Sequence, residues 1–130
     1  MRIYLDASPI IYWVEKVAPY HAQVDVRLRG AGTILVSSPL ALMECLVRPL
    51  RRGDAGLVQD YDVFFSSQVL DRVELTEGIF RRAAEIRAQH NFRTPDSVHL
   101  AAAQASACDV FLTNDAALKA FRDFTVEIVS

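Results

Sequence analysis

The clearest indication of the fold class lies in residues 94–115, whose sequence is TPDSVHLAAAQASACDVFLTND. Thr94-Pro95-Asp96 is typical of a helix start, and the alanine-rich segment after it predicts a helix that ends near Ala107. The compact apolar run Val110–Thr113 predicts a buried strand, which polar residues follow directly. A helix that leads into a buried strand is the repeating unit of an α/β fold.

The same alternation extends over the rest of the chain. Strands are predicted at Arg2–Leu5, Thr33–Val36, Val69–Leu75, Val110–Thr113 and Val126–Val129. The strand at 69–75 is more polar than the others, so we expect it at an edge of the sheet. Because helices separate the strands, we predict a three-layer α/β/α fold with a mainly parallel, open sheet of four to five strands.

Helix starts and stops complete this prediction. Ser8-Pro9 predicts a first helix with Ser8 as its N-cap, and Ser38-Pro39 predicts another that Gly53 ends. Further helices are predicted at His21–Leu28, Ala55–Ser66, Glu77–His90 and, as a short one, Asp115–Phe121. With 130 residues and no linker, we expect one domain that spans residues 1–130.

Composition limits the classes of protein that fit. The chain is 52% hydrophobic and 23% charged, as is typical of a globular domain. A net charge of −2 argues against a nucleic-acid binder held by overall positive charge, although a local basic patch stays possible. The sequence shows no secretory signal and no apolar run of about 20 residues. We therefore expect a cytoplasmic protein that does not enter membranes.

Four carboxylates are predicted to meet at one edge of the sheet. Asp6 and Asp115 follow two predicted strands at their carboxyl ends, where open α/β sheets bind ligands. A helix that returns to a parallel strand begins at the same edge, which brings in Asp96. Glu44 lies five residues past Pro39, or about 8 Å along its helix. Each acid alone could be a capping or dipole-complementing residue, but four together would repel one another strongly unless a cation or protons neutralised them.

The expected neutralising charge is a metal ion. Carboxylate oxygens favour a hard cation, so Mg²⁺ is the natural candidate and Mn²⁺ is possible. Zinc is disfavoured because we expect no Cys or His in the cluster. His99 lies three residues after Asp96 on the same helical face and could approach the site, but a structural role is the favoured interpretation.

Four motifs, in order and at fitting spacings, resemble those of the PIN-domain nucleases. They are Leu5-Asp6-Ala7-Ser8, the helical Glu44, Thr94-Pro95-Asp96-Ser97-Val98-His99-Leu100-Ala101-Ala102-Ala103, and Leu112-Thr113-Asn114-Asp115. Within that family, the chain is similar to the small VapC-type toxins of toxin–antitoxin pairs. The resemblance covers nearly the whole chain.

The resemblance implies a Mg²⁺-dependent endoribonuclease that hydrolyses RNA phosphodiesters with a metal-activated water. The acids that match the family's metal-binding and catalytic positions are Asp6, Glu44, Asp96 and Asp115. Ser8 and Thr113 match hydroxyl positions that orient these acids, and Asn114 takes a supporting role. The resemblance also implies an antitoxin protein as partner.

Other features point to surfaces. Arg48, Arg93 and Lys119 could contact RNA phosphates, although solvated helix faces or an acidic partner explain basic residues equally well. The helix that carries Leu57, Tyr61, Phe64 and Phe65 is a candidate surface for a homodimer or an antitoxin segment.

Two alternatives to the nuclease stay open. One is a non-catalytic RNA-binding or partner-binding module of the same fold. The other is a phosphoacceptor receiver domain, which would require paired acids after the first strand, whereas this chain has Asp6 alone. Metal-dependent hydrolysis of RNA separates the nuclease from both.

Overall fold

The computed structural model of the protein describes residues 1–129. The strands are β1 (Arg2–Leu5), β2 (Ile34–Ser37), β3 (Leu70–Arg72), β4 (Val110–Thr113) and β5 (Thr125–Ile128). The helices are α1 (Ala7–Val14), α2 (Tyr20–Leu28), α3 (Pro39–Arg52), α4 (Ala55–Ser66), α5 (Glu77–His90) and α6 (Thr94–Ala105), and a 3₁₀ helix covers Ala116–Ala120.

The five strands form one sheet in the order β3-β2-β1-β4-β5, and all four pairings are parallel. The central strand β1 places Tyr4 opposite Val36 on one side and Phe111 on the other. β3 lies at an edge, as its polar sequence predicts, but it is shorter than expected. The predicted open, parallel sheet is therefore confirmed with five strands.

Alternating side chains of β1 pack into two separate cores. Tyr4 points to the α5 and α6 side, where it joins Phe111, Ile86 and Leu100 in one buried cluster. Ile3 and Leu5 belong to a second cluster, which includes residues of α1, α2, α3 and α4. Because successive side chains of a strand face opposite sides of the sheet, this pattern confirms the predicted three layers.

The first helix begins earlier than its Ser-Pro pair predicts. Asp6, not Ser8, is the N-cap of α1, and its Oδ1 accepts a hydrogen bond from the Ala7 amide at 2.8 Å. The Ser8 hydroxyl is engaged elsewhere, since its Oγ accepts from the Asn114 amide at 3.0 Å. The predicted cap was wrong because a long-range contact competes for this hydroxyl.

The aromatic side chains of α4 are buried rather than exposed. Tyr61 is 0% exposed, and Phe64 and Phe65 are also buried in the core of the α1 to α4 side. The expectation that this face is a docking surface is wrong for these residues. Val63 of α4 is exposed, and three exposed apolar side chains lie together on α3, at Met43, Val47 and Leu50. In the described residues, no helix is long and apolar enough to cross a membrane.

Candidate metal centre

An open cavity of about 270 Å³ lies at the carboxyl ends of β1 and β4, beside the point where the strand order reverses. All four predicted acids line it. The lining residues are Asp6, Ala7, Ser8, Ile11, Glu44, Arg93, Asp96, Asn114 and Asp115. The topology thus brings together acids that are up to 109 positions apart in sequence (115 − 6).

Asp6 is held rigidly between two elements. One carboxylate oxygen caps α1, and the other accepts a hydrogen bond from the Thr113 hydroxyl at 2.7 Å. The same hydroxyl accepts from the amide of Asp115 at 3.1 Å, while Oδ1 of Asp115 accepts from the Ala117 amide. Thr113 therefore ties the acid after β1 to the acid after β4.

A second set of contacts fixes the loop after β4. The backbone amide of Asn114 donates to Ser8 Oγ, and its side-chain amide donates to the hydroxyl of Tyr12 at 2.9 Å. These bonds join the β4 end to the first turns of α1. Ser8 and Asn114 thus act here through contacts that hold the cavity wall in place.

Asp96 is buried in the first turn of α6, with 7% of its surface exposed. Burial raises its pKa, and the negative charges of Asp6 and Asp115 add to this effect. The Arg93 guanidinium opposes the rise, because its Nε donates to Asp96 Oδ2 at 3.0 Å. An acid whose charged form is disfavoured in this way is suited to binding a cation.

Glu44 reaches the cavity from α3 and contacts a residue that was expected to be structural. Its Oε1 lies 2.5 Å from Nε2 of His99, and the same nitrogen lies 3.5 Å from Oδ1 of Asp6. His99 is 1% exposed. The expectation that no histidine belongs to the acidic cluster is therefore wrong.

The donor set fits a hard divalent cation. One ligand atom each from Asp6, Glu44 and His99 lie within 4.8 Å of one another. Asp6 and Glu44 contribute carboxylate oxygens to this group, and Asp96 and Asp115 add further carboxylates around the same cavity. Oxygen-rich sites of this kind favour Mg²⁺ or Mn²⁺ over softer metals.

The basic residues divide into two groups. Arg93 lines the cavity and pairs with Asp96, while most of its side chain is exposed. Arg48 and Lys119 are exposed but, within residues 1–129, do not belong to the cavity lining. Arg93 is thus the basic residue best placed to contact a ligand of the acidic cavity.

Comparison with known proteins agrees with this architecture. The family model described as the PIN domain matches residues 3–123. The chain belongs to the PIN domain family. No match is found among the curated proteins.

Several solved structures resemble this PIN-family chain. A VapBC2 structure from Rickettsia felis, bound to a promoter DNA fragment, has a TM-score of 0.80 at 15% identity over 100% of both chains. VapC20 of Mycobacterium tuberculosis, described as a sarcin-ricin loop cleaving toxin, scores 0.71 at 15% identity over 84% of this chain and 86% of its own. A toxin–antitoxin complex from Klebsiella pneumoniae scores 0.71 at 16% identity over 98% of both chains. At these identities the likeness establishes a shared fold.

From the surroundings of His99 we predict how the free energy of unfolding of the metal-free protein depends on pH. Burial opposes its protonation, but the bond to Glu44 and the nearby acids, including Asp6 and Asp96, outweigh burial and raise its pKa above 6.5. A raised pKa stabilises the folded state below pH 6.5, and this contribution is lost as the pH rises through the folded-state pKa. In a chelator, the free energy of unfolding should therefore fall as the pH rises from 6.5 through the folded-state pKa of His99.

Urea denaturation in EDTA between about pH 6 and pH 9 measures this effect. His99→Gln removes the titrating ring and should flatten the pH dependence over this range. A stability of the native sequence that increases with pH over the same range would contradict the prediction.

Proposed function

We propose that this chain is a metal-dependent endoribonuclease that hydrolyses RNA phosphodiesters in the cytoplasm. The observation that carries the proposal is the convergence of Asp6, Glu44, Asp96 and Asp115 on one cavity in a PIN-family chain. The description of VapC20 as a cleaving toxin agrees with this activity for the fold. Mg²⁺ is the proposed ion, with Mn²⁺ as a substitute.

Each group of residues has a proposed part in the reaction. The four carboxylates would hold the cation, which supplies an activated water and neutralises charge on the phosphate. Thr113 and Ser8 keep the cavity wall in position through their hydroxyls. The exposed Arg93 can release Asp96 and bind a phosphate oxygen of the RNA, as arginine does in charge-assisted pairs.

The test is cleavage of a mixed RNA pool by the purified chain. With Mg²⁺ or Mn²⁺ we expect RNA fragments, and with EDTA we expect none. Absence of cleavage with either ion, together with retained RNA or protein binding, would favour the non-catalytic module of the same fold. Cleavage that persists in EDTA would contradict the metal requirement.

We further propose that the chain is the toxin of a toxin–antitoxin pair and forms a homodimer. Support comes from the VapBC2 and Klebsiella pneumoniae complexes, which share its fold. The exposed apolar residues Met43, Val47 and Leu50 on α3 are suited to a protein contact. Light scattering of the purified chain measures its oligomeric state, and a monomer at all concentrations would contradict the dimer.

Thr113→Val should lower metal-dependent cleavage about 10–100-fold, as is typical when a partner of a metal ligand is lost. Valine has a similar shape but loses the bond to Asp6 and leaves the Asp115 amide without its acceptor. Thr113→Ser keeps the hydroxyl and is the matched control. Cleavage rates under single-turnover conditions measure the effect. Equal rates for the native sequence and Thr113→Val would contradict the role of the Thr113 hydroxyl in holding Asp6.

A further inference from the structure

The Glu44 carboxylate differs from the other acids of the cavity in how it is held. The carboxylates of Asp6 and Asp115 accept hydrogen bonds from backbone amides, and the carboxylate of Asp96 accepts one from the Arg93 guanidinium. Within residues 1–129, the Glu44 carboxylate has one polar contact, the His99 ring. About a third of the Glu44 side chain is exposed, so its orientation depends on that one contact.

His99 is itself fixed on its other side. Its Nδ1 lies 2.7 Å from the Tyr4 hydroxyl, which lies 2.8 Å from Oγ of Ser38. Tyr4 and Ser38 are 0% exposed and His99 is 1% exposed. Burial raises the pKa of Tyr4, which keeps its hydroxyl a neutral donor or acceptor. The four side chains thus form a buried chain of hydrogen bonds that ends at the cavity.

The chemistry of the carboxylate determines which groups donate and which accept in this series of hydrogen bonds, beginning at Glu44. An ionised carboxylate only accepts, so the proton between His99 and Glu44 must reside on Nε2. In the neutral ring, Nδ1 then accepts from the Tyr4 hydroxyl, whose oxygen accepts from Ser38. A nitrogen that carries this proton has no free lone pair for a metal.

From these contacts we infer that His99 is a positioning residue, which orients the Glu44 carboxylate beside Asp6, and that Tyr4 holds the His99 ring in the orientation able to do so. This inference rests on the proposed function, because it assigns Glu44 to the cation. His99 holds Oε1 of Glu44, and Oε2 remains without a hydrogen bond among the described residues. The ring does not itself bind the ion.

Binding of Mn²⁺ alone, measured by electron paramagnetic resonance without RNA, tests this role. His99→Leu removes the donor and should weaken Mn²⁺ binding about 10–100-fold. His99→Gln retains an N–H donor and should recover most of the affinity. Tyr4→Phe removes the buried hydrogen bonds to His99 and Ser38 and should weaken binding about fivefold. His21→Leu makes the same change on α2, away from the cavity lining, and should leave binding unchanged.

Two results would overturn the inference. One is an Mn²⁺ affinity that is unchanged in His99→Leu or, if that variant does not fold, in Tyr4→Phe. The other is a ¹⁴N coupling in the Mn²⁺ spin-echo spectrum of the native sequence that His99→Leu or His99→Gln abolishes, because it would show direct ligation. In RNA cleavage, a positioning role predicts a lower kcat with an unchanged KM for RNA.

Failure of this inference is distinguishable from failure of the nuclease proposal. Mn²⁺ binding requires no RNA cleavage, so it can be scored even in an inactive protein. If Asp6→Asn abolishes Mn²⁺ binding and His99→Leu leaves it unchanged, the proposed metal site is supported and the positioning role of His99 is contradicted. If the native sequence binds Mn²⁺ through His99-dependent positioning but cleaves no RNA, only the nuclease proposal falls.

Discussion

Replacing Asp6 with asparagine is expected to lower Mg²⁺-dependent RNA cleavage about 1,000-fold. Asp6 lines the acidic cavity, and one of its carboxylate oxygens lies within 4.8 Å of ligand atoms of Glu44 and His99. A bound cation supplies several kcal/mol of transition-state stabilisation, and the loss of about 4 kcal/mol corresponds to this factor. Single-turnover cleavage of an RNA substrate at saturating Mg²⁺ measures the effect.

The fold should tolerate Asp6→Asn. Asparagine caps helices about as well as aspartate, so the bond to the Ala7 amide can be retained. The Thr113 hydroxyl can accept from the new amide instead of donating to the carboxylate. Asp62→Asn makes the same change at an exposed position of α4 and should keep full activity. Equal activity of Asp6→Asn and the native sequence would remove Asp6 from the proposed site.

Asp96→Asn should cause a comparable loss of cleavage, about 1,000-fold. Unlike Asp6→Asn, it should also stabilise the metal-free protein. Burial and two neighbouring acids disfavour its charged form, as the raised pKa shows. An amide removes this unfavourable charge at neutral pH. The lost ion pair with Arg93 costs little, because most of the arginine side chain is exposed. The free energy of unfolding in EDTA should therefore rise.

Paired measurements test this second prediction. Urea denaturation in EDTA reports stability, and cleavage with Mg²⁺ reports activity, for Asp96→Asn and for the control Asp62→Asn. The control should change neither quantity. A variant that loses activity and also loses stability would indicate that Asp96 supports the fold and not a cation site.

The sequence predicted the three-layer fold because its helices and strands alternate, and that pattern admits few topologies. It also predicted the edge of the sheet at which Asp6 and Asp115 lie, since each follows a strand. Local details were less predictable. Ser8 has the residue type of a helix cap, but its hydroxyl bonds the Asn114 amide, a contact that no local pattern reveals.

The tertiary structure alone decided the surroundings of His99 and of α4. Helical spacing predicted that His99 shares a face with Asp96, but its partners Tyr4 and Glu44 come from β1 and α3. Likewise, periodicity indicated an apolar face on α4 without indicating that Trp13 of α1 packs against Phe64. Order along the chain determines which elements form and which edge they reach. Contacts between elements depend on how the layers pack, and that information is not local.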